Sequence, residues 1–137
     1  MGQQQVIEIP TRGRGFTEIT DKVAAVVRSA GGGSGTVHVF AQHTSCSVLI
    51  TENADPAVLT DLETLARRWA PDGDPGYVHD TEGPDDMAAH ARSILAGTSV
   101  TVPVSGGRML LGTWQGIFLW EHRTHGHARR IVVTVAA

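Results

Sequence analysis

Apolar residues recur along this chain with two periods, and the switches between them mark out its elements. From Thr36 to Gln42 the alternation is strict: Val37, Val39 and Ala41 face one way and His38, Phe40 and Gln42 the other. That pattern predicts a strand with one buried face. Residues 3–9 predict an earlier strand, with Val6 and Ile7 apolar and Pro10 stopping it. Ser47 to Thr51 predicts another, and Ser99 to Val104 a fourth, with Val100, Val102 and Val104 on one face. Ser105-Gly106-Gly107 is a hairpin signal. Arg108 to Glu121 is too long for one straight strand, and Gly112 and Gly116 predict a bulge or a close backbone approach. Residues 122–128 predict a turn, and Arg129 to Val135 the last strand.

The helical period appears three times. Thr17 to Ala30 carries Val23, Val26, Val27 and Ala30 at helical spacing, with Thr20 or Asp21 as cap and GGGSG at 31–35 as terminator. Asp55-Pro56 is a strong helix start, and Val58, Leu62, Leu65 and Trp69 form the stripe that follows. Gly83-Pro84 leads into a third helix, with Asp85 and Asp86 in its first turn. Met87, Ala91, Ile94 and Leu95 are its expected apolar face, with His90 on the inner edge and Gly97 at the end. No repeat or linker interrupts this series. It predicts one α+β domain over residues 1–137, a mostly antiparallel sheet packed with about three helices.

Composition narrows the function. With 137 residues, 41% hydrophobic and 18% charged, the chain has the makings of one globular domain. A net charge of -3 and scattered arginines argue against a nucleic-acid partner. No apolar run reaches membrane-spanning length, and the start of the chain lacks a signal-peptide pattern, so a cytoplasmic location is expected. The one cysteine, Cys46, rules out an internal disulfide and reads as a small buried residue.

Seven histidines are the chemical clue. His43, His79 and His90 fall at element ends or inward faces beside carboxylates and hydroxyls. Three imidazoles with an open fourth position suit zinc or a similar divalent ion, while core or edge histidines satisfied by neighbours are the plainer alternative. His122, His125 and His127 read as a solvated turn. Glu52, Asn53 and Asp55 form a polar knot fit for acid–base or metal work, although Asp55 already has a capping role. Thr44, Ser45 and Ser47 could cradle an anion or simply shape a turn. Gln115, among apolar neighbours, needs a partner, and Arg123, Arg129 and Arg130 could reach a phosphate or stay solvated.

The segments HTSCSVLITENADPAVLTDL at 43–62, H-D…G-P-D-D-M-A-A-H at 79–90 and GGRMLLGTWQGIFLWE at 106–121 resemble the YjbQ family. That family is credited with secondary thiamine-phosphate synthase activity. The resemblance runs from about Thr36 to the C-terminus, and GTWQ at 112–115 is its most specific part. It implies an α+β fold, a homotrimer and sites at subunit interfaces. It also makes His43, His79 and His90 the family pattern's histidines and favours them as metal ligands, for zinc or else magnesium or manganese. Glu121 and Arg129 match the pattern, whereas His122, His125 and His127 depart from it.

The expected protein is then a metal-dependent enzyme acting on a small phosphorylated or anionic metabolite. Glu52, Asn53 and Asp55 would carry catalysis, and Ser45, Gln115, Glu121 and Arg129 would hold the substrate. The transferase reaction that the resemblance implies joins a pyrimidine diphosphate to a thiazole phosphate. The other readings are a metal-assisted phosphoester hydrolase and a trimeric metal- or anion-binding protein without turnover.

Overall fold

The alternating segments pair into two antiparallel sheets. The computed structural model describes residues 2–136; Met1 and Ala137, the outermost residues of the predicted domain, lie outside them. The element order is β1 (Gln3–Pro10), β2 (Gly15–Glu18), α1 (Thr20–Ser29), β3 (Gly35–Ala41), β4 (Cys46–Glu52), α2 (Pro56–Trp69), α3 (Asp86–Ala96), β5 (Ser99–Ser105), β6 (Arg108–Met109), β7 (Gln115–Glu121) and β8 (Ala128–Ala136). One sheet runs β1-β8-β3-β5-β6 and the other β2-β7-β4. The result is the expected α+β architecture with three helices.

The inward residues of β3, Val37, Val39 and Ala41, meet Val102 and Val104 of β5 and Ile131, Val133 and Val135 of β8 in one core with Val23, Val26 and Val27 of α1. The second sheet closes that core with Cys46, Val48, Ile117 and Leu119. Each large aliphatic side chain so buried contributes about 1.5–3 kcal/mol. Strand β7 is covered on both faces, which is why Ile117 to Trp120 is an unbroken buried run without alternation. On its outer side Trp120 stacks on Phe16 at 4.4 Å, and Glu63 of α2 accepts a hydrogen bond from its indole N–H at 2.9 Å.

The Ser105–Arg108 turn forms as expected, with Gly106 and Gly107 both at positive φ. The expected close approach falls at Gly116, where an added Cβ would lie 2.7 Å from Glu18 Oε2 and 2.9 Å from Asn53 Cβ. Arg108 to Glu121 is indeed two strands, and they belong to different sheets.

Three expectations need correction. Thr17 and Glu18 belong to strand β2, and α1 begins only at Thr20, with Ile19 as its cap residue. The Thr20 hydroxyl caps nothing; it accepts from Ile117 N–H at 2.9 Å. In α3 the buried face is Ala88, Ala89, Arg92 and Ser93, while Ile94 is 82% and Leu95 64% exposed. Small side chains let the helix lie close on β4, where Ser93 Oγ donates to the Cys46 carbonyl at 3.3 Å. Trp69 likewise stands 58% exposed at the end of α2, where Ala66 and Ala70 take the buried positions. Among the described residues no helix is long and apolar enough to cross a membrane.

Candidate metal centre and its cavity

The start of α3 carries two buried carboxylates, Asp85 at the cap and Asp86 in the first helical position. Arg123, in the loop after β7, holds both: Nε donates to Asp85 Oδ2 at 2.9 Å and Nη1 lies 3.0 Å from Asp86 Oδ1. Its Nη2 donates to the Glu82 carbonyl at 3.0 Å. This leaves Asp86 Oδ2 facing two imidazoles. His79 Nε2 lies 2.7 Å from it and His90 Nε2 3.1 Å. Burial would raise the Asp86 carboxyl, but the His79 hydrogen bond and the charges of His90 and Arg123 outweigh it and hold it below its ordinary range. His90 sits one helical turn beyond Asp86. His79 comes from the loop before α3, which is pinned by Tyr77 Oη to the Pro71 carbonyl at 2.9 Å and Gly73 N–H to the Pro84 carbonyl at 2.9 Å.

Hydrogen bonding sets which nitrogen of His90 faces the carboxylate. Its Nδ1 lies 3.1 Å from the Thr44 carbonyl, which can only accept, so Nδ1 carries a proton. In a neutral ring Nε2 is then a lone pair, and it points at a carboxylate oxygen 3.1 Å away. A cation held by both atoms would satisfy that contact, as would a second ring proton donated from Nε2 to the carboxylate. The ligating atoms of His79, Asp86 and His90 lie within 4.8 Å of one another, a spacing that could hold a divalent ion.

The third expected ligand is elsewhere. His43 accepts the Arg130 amide at Nε2 (2.8 Å), and its Nδ1 lies 3.4 Å from Arg129 Nη1. Burial first, and the Arg129 charge second, push its pKa down, so it stays neutral. It does share an open cavity of about 640 Å³ with His90, walled also by Phe40, Thr44, Ile94 and Thr98.

Glu121 and Arg129, expected to hold substrate, are 1% and 4% exposed and pair with each other. Arg129 Nε donates to Glu121 Oε1 at 2.8 Å, while Nη2 donates to Ser45 Oγ at 2.9 Å and the Ser45 carbonyl at 3.1 Å. Ser45 is therefore engaged inside the protein, with its hydroxyl oxygen accepting from Arg129. Burial would raise Glu121, but Arg129 and the Thr11 hydroxyl keep its carboxyl below the usual range. Buried Cys46 has its thiol pushed up to about 11 by desolvation, the behaviour of an inert core residue.

The polar knot lies at the other end of β4. Glu52 Oε2 accepts the amides of Ala54 (3.1 Å) and Asp55 (2.7 Å), and Asp55 Oδ1 accepts that of Ala57 at 2.9 Å, so both carboxylates start α2. Asn53 Nδ2 donates to Glu18 Oε2 at 3.3 Å, and Gln115 Oε1 accepts from Gly112 N–H at 2.8 Å. Strand β4 runs from Cys46 to Glu52, so about 20 Å of strand separates this knot from the loop holding His43 and Thr44. Within one chain it does not reach the histidines.

His122, expected in a solvated turn, is fully buried. Its Nε2 meets Ser47 Oγ at 2.7 Å and its ring packs on Trp120 at 4.9 Å. Burial, and then the Arg92 charge, push its pKa down to about 3. Below about pH 6.5 the unfolded chain therefore takes up a proton that the folded chain refuses, and stability falls by about 1.4 kcal/mol per pH unit. That loss ends only as the folded ring titrates near pH 3. Between pH 6.5 and 5 we expect about 2 kcal/mol from this residue alone. His43 adds in the same direction, and Asp85, Asp86 and Glu121 act below about pH 4. Urea midpoints at the two pH values should diverge less in His122→Phe than in the parent; equal divergence overturns the assignment.

The family model described as UPF0047 protein YjbQ-like matches residues 5–137. The chain belongs to the YjbQ family. A UPF0047 protein of Synechocystis sp. is 47% identical over 97% of this chain and 90% of its own length. The UPF0047 protein YjbQ of Escherichia coli O157:H7 is 42% identical over 98% of both chains. Among solved structures, a conserved hypothetical protein of Thermus thermophilus superposes with a TM-score of 0.86 at 35% identity, covering 96% of this chain and 99% of that one. The YjbQ resemblance read from HTS, the 79–90 block and GTWQ is thus confirmed, and with it the fold. Asp86 and Arg123 were not expected in the site. The signal for Asp86 was its place four residues before His90, on the same helical face.

Proposed function

We propose that this YjbQ-family protein is a metal-dependent enzyme acting on a small phosphorylated or otherwise anionic metabolite. The observation that supports it is the convergence of His79 Nε2 and His90 Nε2 on one oxygen of Asp86, with His90 Nδ1 already committed to a backbone carbonyl. Two imidazoles and a carboxylate suit zinc, with magnesium or manganese as the harder alternatives. An ion there would supply Lewis-acid polarisation of a phosphoryl oxygen and a bound water of lowered pKa. Arg123 fixes the carboxylate, and Thr44 fixes the His90 ring.

The reading includes a cytoplasmic homotrimer with its sites at subunit interfaces. The knot of one subunit, with Asn53 and Gln115, would then face the histidines of the next. Exposed apolar side chains flank both halves: Trp114 at 63% and Leu110 at 60% beside the knot, Ile94 at 82% and Leu95 at 64% beside His90. Within this class, the transfer that joins a pyrimidine diphosphate to a thiazole phosphate must stabilise departing pyrophosphate. Arg123 and Arg129 are each already paired with carboxylates, which favours metal-assisted phosphoester hydrolysis as the second reading.

Metal analysis of protein purified without a tag, joined to a turnover screen of phosphorylated small molecules, tests the proposal. We expect about one ion per chain, and turnover that falls at least about 100-fold in His90→Ala and in Asn53→Ala. Bound ligand with no turnover would leave a non-catalytic binding protein. A monomer in solution would remove the shared site.

A further inference from the structure

Behind the cavity wall that His43 forms, His43 and Arg129 meet in a way that neither the buried ion pair nor the histidine–aspartate group explains. The Arg130 backbone amide donates to His43 Nε2 at 2.8 Å. An amide N–H has no acceptor to offer, so Nε2 holds the lone pair and the ring proton sits on Nδ1. Nδ1 in turn faces Arg129 Nη1 at 3.4 Å. A guanidinium only donates. Two donors therefore stand side by side with no acceptor between them.

The rest of the guanidinium is fully committed. Nε serves Glu121, and Nη2 serves Ser45 and Glu121. Nη1 has no protein acceptor among the described residues. With the side chain only 5% exposed and fastened on two sides, the group is preorganised. Their separation allows one oxygen to lie about 2.9 Å from both nitrogens and accept from each. His43 opens onto the cavity it shares with His90, so such an oxygen could belong to a molecule lying there.

We infer that His43 Nδ1–H and Arg129 Nη1–H form a two-donor seat for one oxygen of a substrate phosphate or carboxylate, on the His43 side of the cavity that His43 and His90 both line. His43 is thus a substrate-binding group and not a metal ligand. The inference rests on the proposed reading of the cavity as the substrate site, but it needs no ion at the cluster.

The test is side-chain ¹⁵N NMR of the full-length protein, stripped of metal, titrated first with inorganic phosphate and then with acetate. Before titration His43 should carry its proton on Nδ1. Phosphate, acetate or both should then shift that nitrogen, and the tighter of the two identifies a phosphoryl or a carboxylate end. In His43→Gln the affinity for that anion should fall about tenfold, the loss of one charge-assisted hydrogen bond. A proton on Nε2, or no response of His43 to either anion, overturns the inference. The parent spectrum decides this even if the variant folds poorly. Zinc is added separately, followed on His79 and His90: failure there defeats the metal proposal and leaves the His43 result standing.

Discussion

Asp86→Asn should weaken zinc binding by more than about 100-fold, while His43→Ala should change it by less than about threefold. Groups that merely orient a ligand are worth about 10–100-fold in metal affinity, so a ligand itself should exceed that range. Asparagine keeps the size of the side chain, and Asp85 still pairs with Arg123 at 2.9 Å, so the start of α3 should hold its shape. What is lost is the anionic oxygen on which His79 and His90 converge at 2.7 and 3.1 Å. His43 meanwhile has Nε2 closed by the Arg130 amide. Competition against a chromophoric chelator, with circular dichroism to verify folding, measures both. If His43→Ala abolishes binding and Asp86→Asn does not, the ligand set is the one expected from the sequence pattern and not the one the geometry favours.

The second large effect is on stability. Glu63→Ala should cost about 3–5 kcal/mol, the toll of stranding a buried charge. For a chain of this length that lowers Tm by about 10–17 °C. Arg92 is 2% exposed, and Glu63 takes its Nη1 at 2.8 Å. Its Nε and Nη2 have no protein partner, so Glu63 is the only acceptor it has among the described residues. The same carboxylate also accepts from Trp120 Nε1 at 2.9 Å, tying α2, α3 and β7 together. Removing both charges in Glu63→Leu/Arg92→Met should restore most of the loss, since an ion pair replaced by packed apolar side chains is often neutral or better. Thermal unfolding of the two variants decides it. A single variant that loses under about 1 kcal/mol would mean the guanidinium is satisfied some other way.

What the sequence made legible was local. Val37, Val39 and Ala41 announce the inward face of β3 because a strand repeats every two residues. Asp55-Pro56 announces α2 because cap and first turn are neighbours in the chain. Strand β2 escaped because four residues, Gly15 to Glu18, are too few to show a period and abut a helix whose own pattern absorbs them. The inner face of α3 was misjudged because its packing is led by alanines and a paired arginine, which carry little apolar signal.

The site was legible only in part, for a similar reason. Residue type marks His79 and His90 as candidate ligands, yet nothing local says that Asp86 lies between them while His43 turns to a backbone amide. Asp86 at a helix start has a sufficient dipole explanation, which hides its second use. His122 looked solvated because its neighbours His125 and Gly126 are. Its burial is decided by Ser47, Trp120 and Arg92, which lie far away in sequence.

The Glu121–Arg129 pair has a mechanical consequence. Glu121 belongs to β7 and Arg129 to β8, so the pair stitches one sheet to the other where the chain crosses from β3 to β4. At the opposite end the layers finish in glycine turns, Gly31 to Gly35 and Gly106-Gly107, with no comparable clasp among the described residues. The buried ionic link between the two layers therefore sits at the end that carries the histidines, where the polar groups of the cavity need a fixed frame.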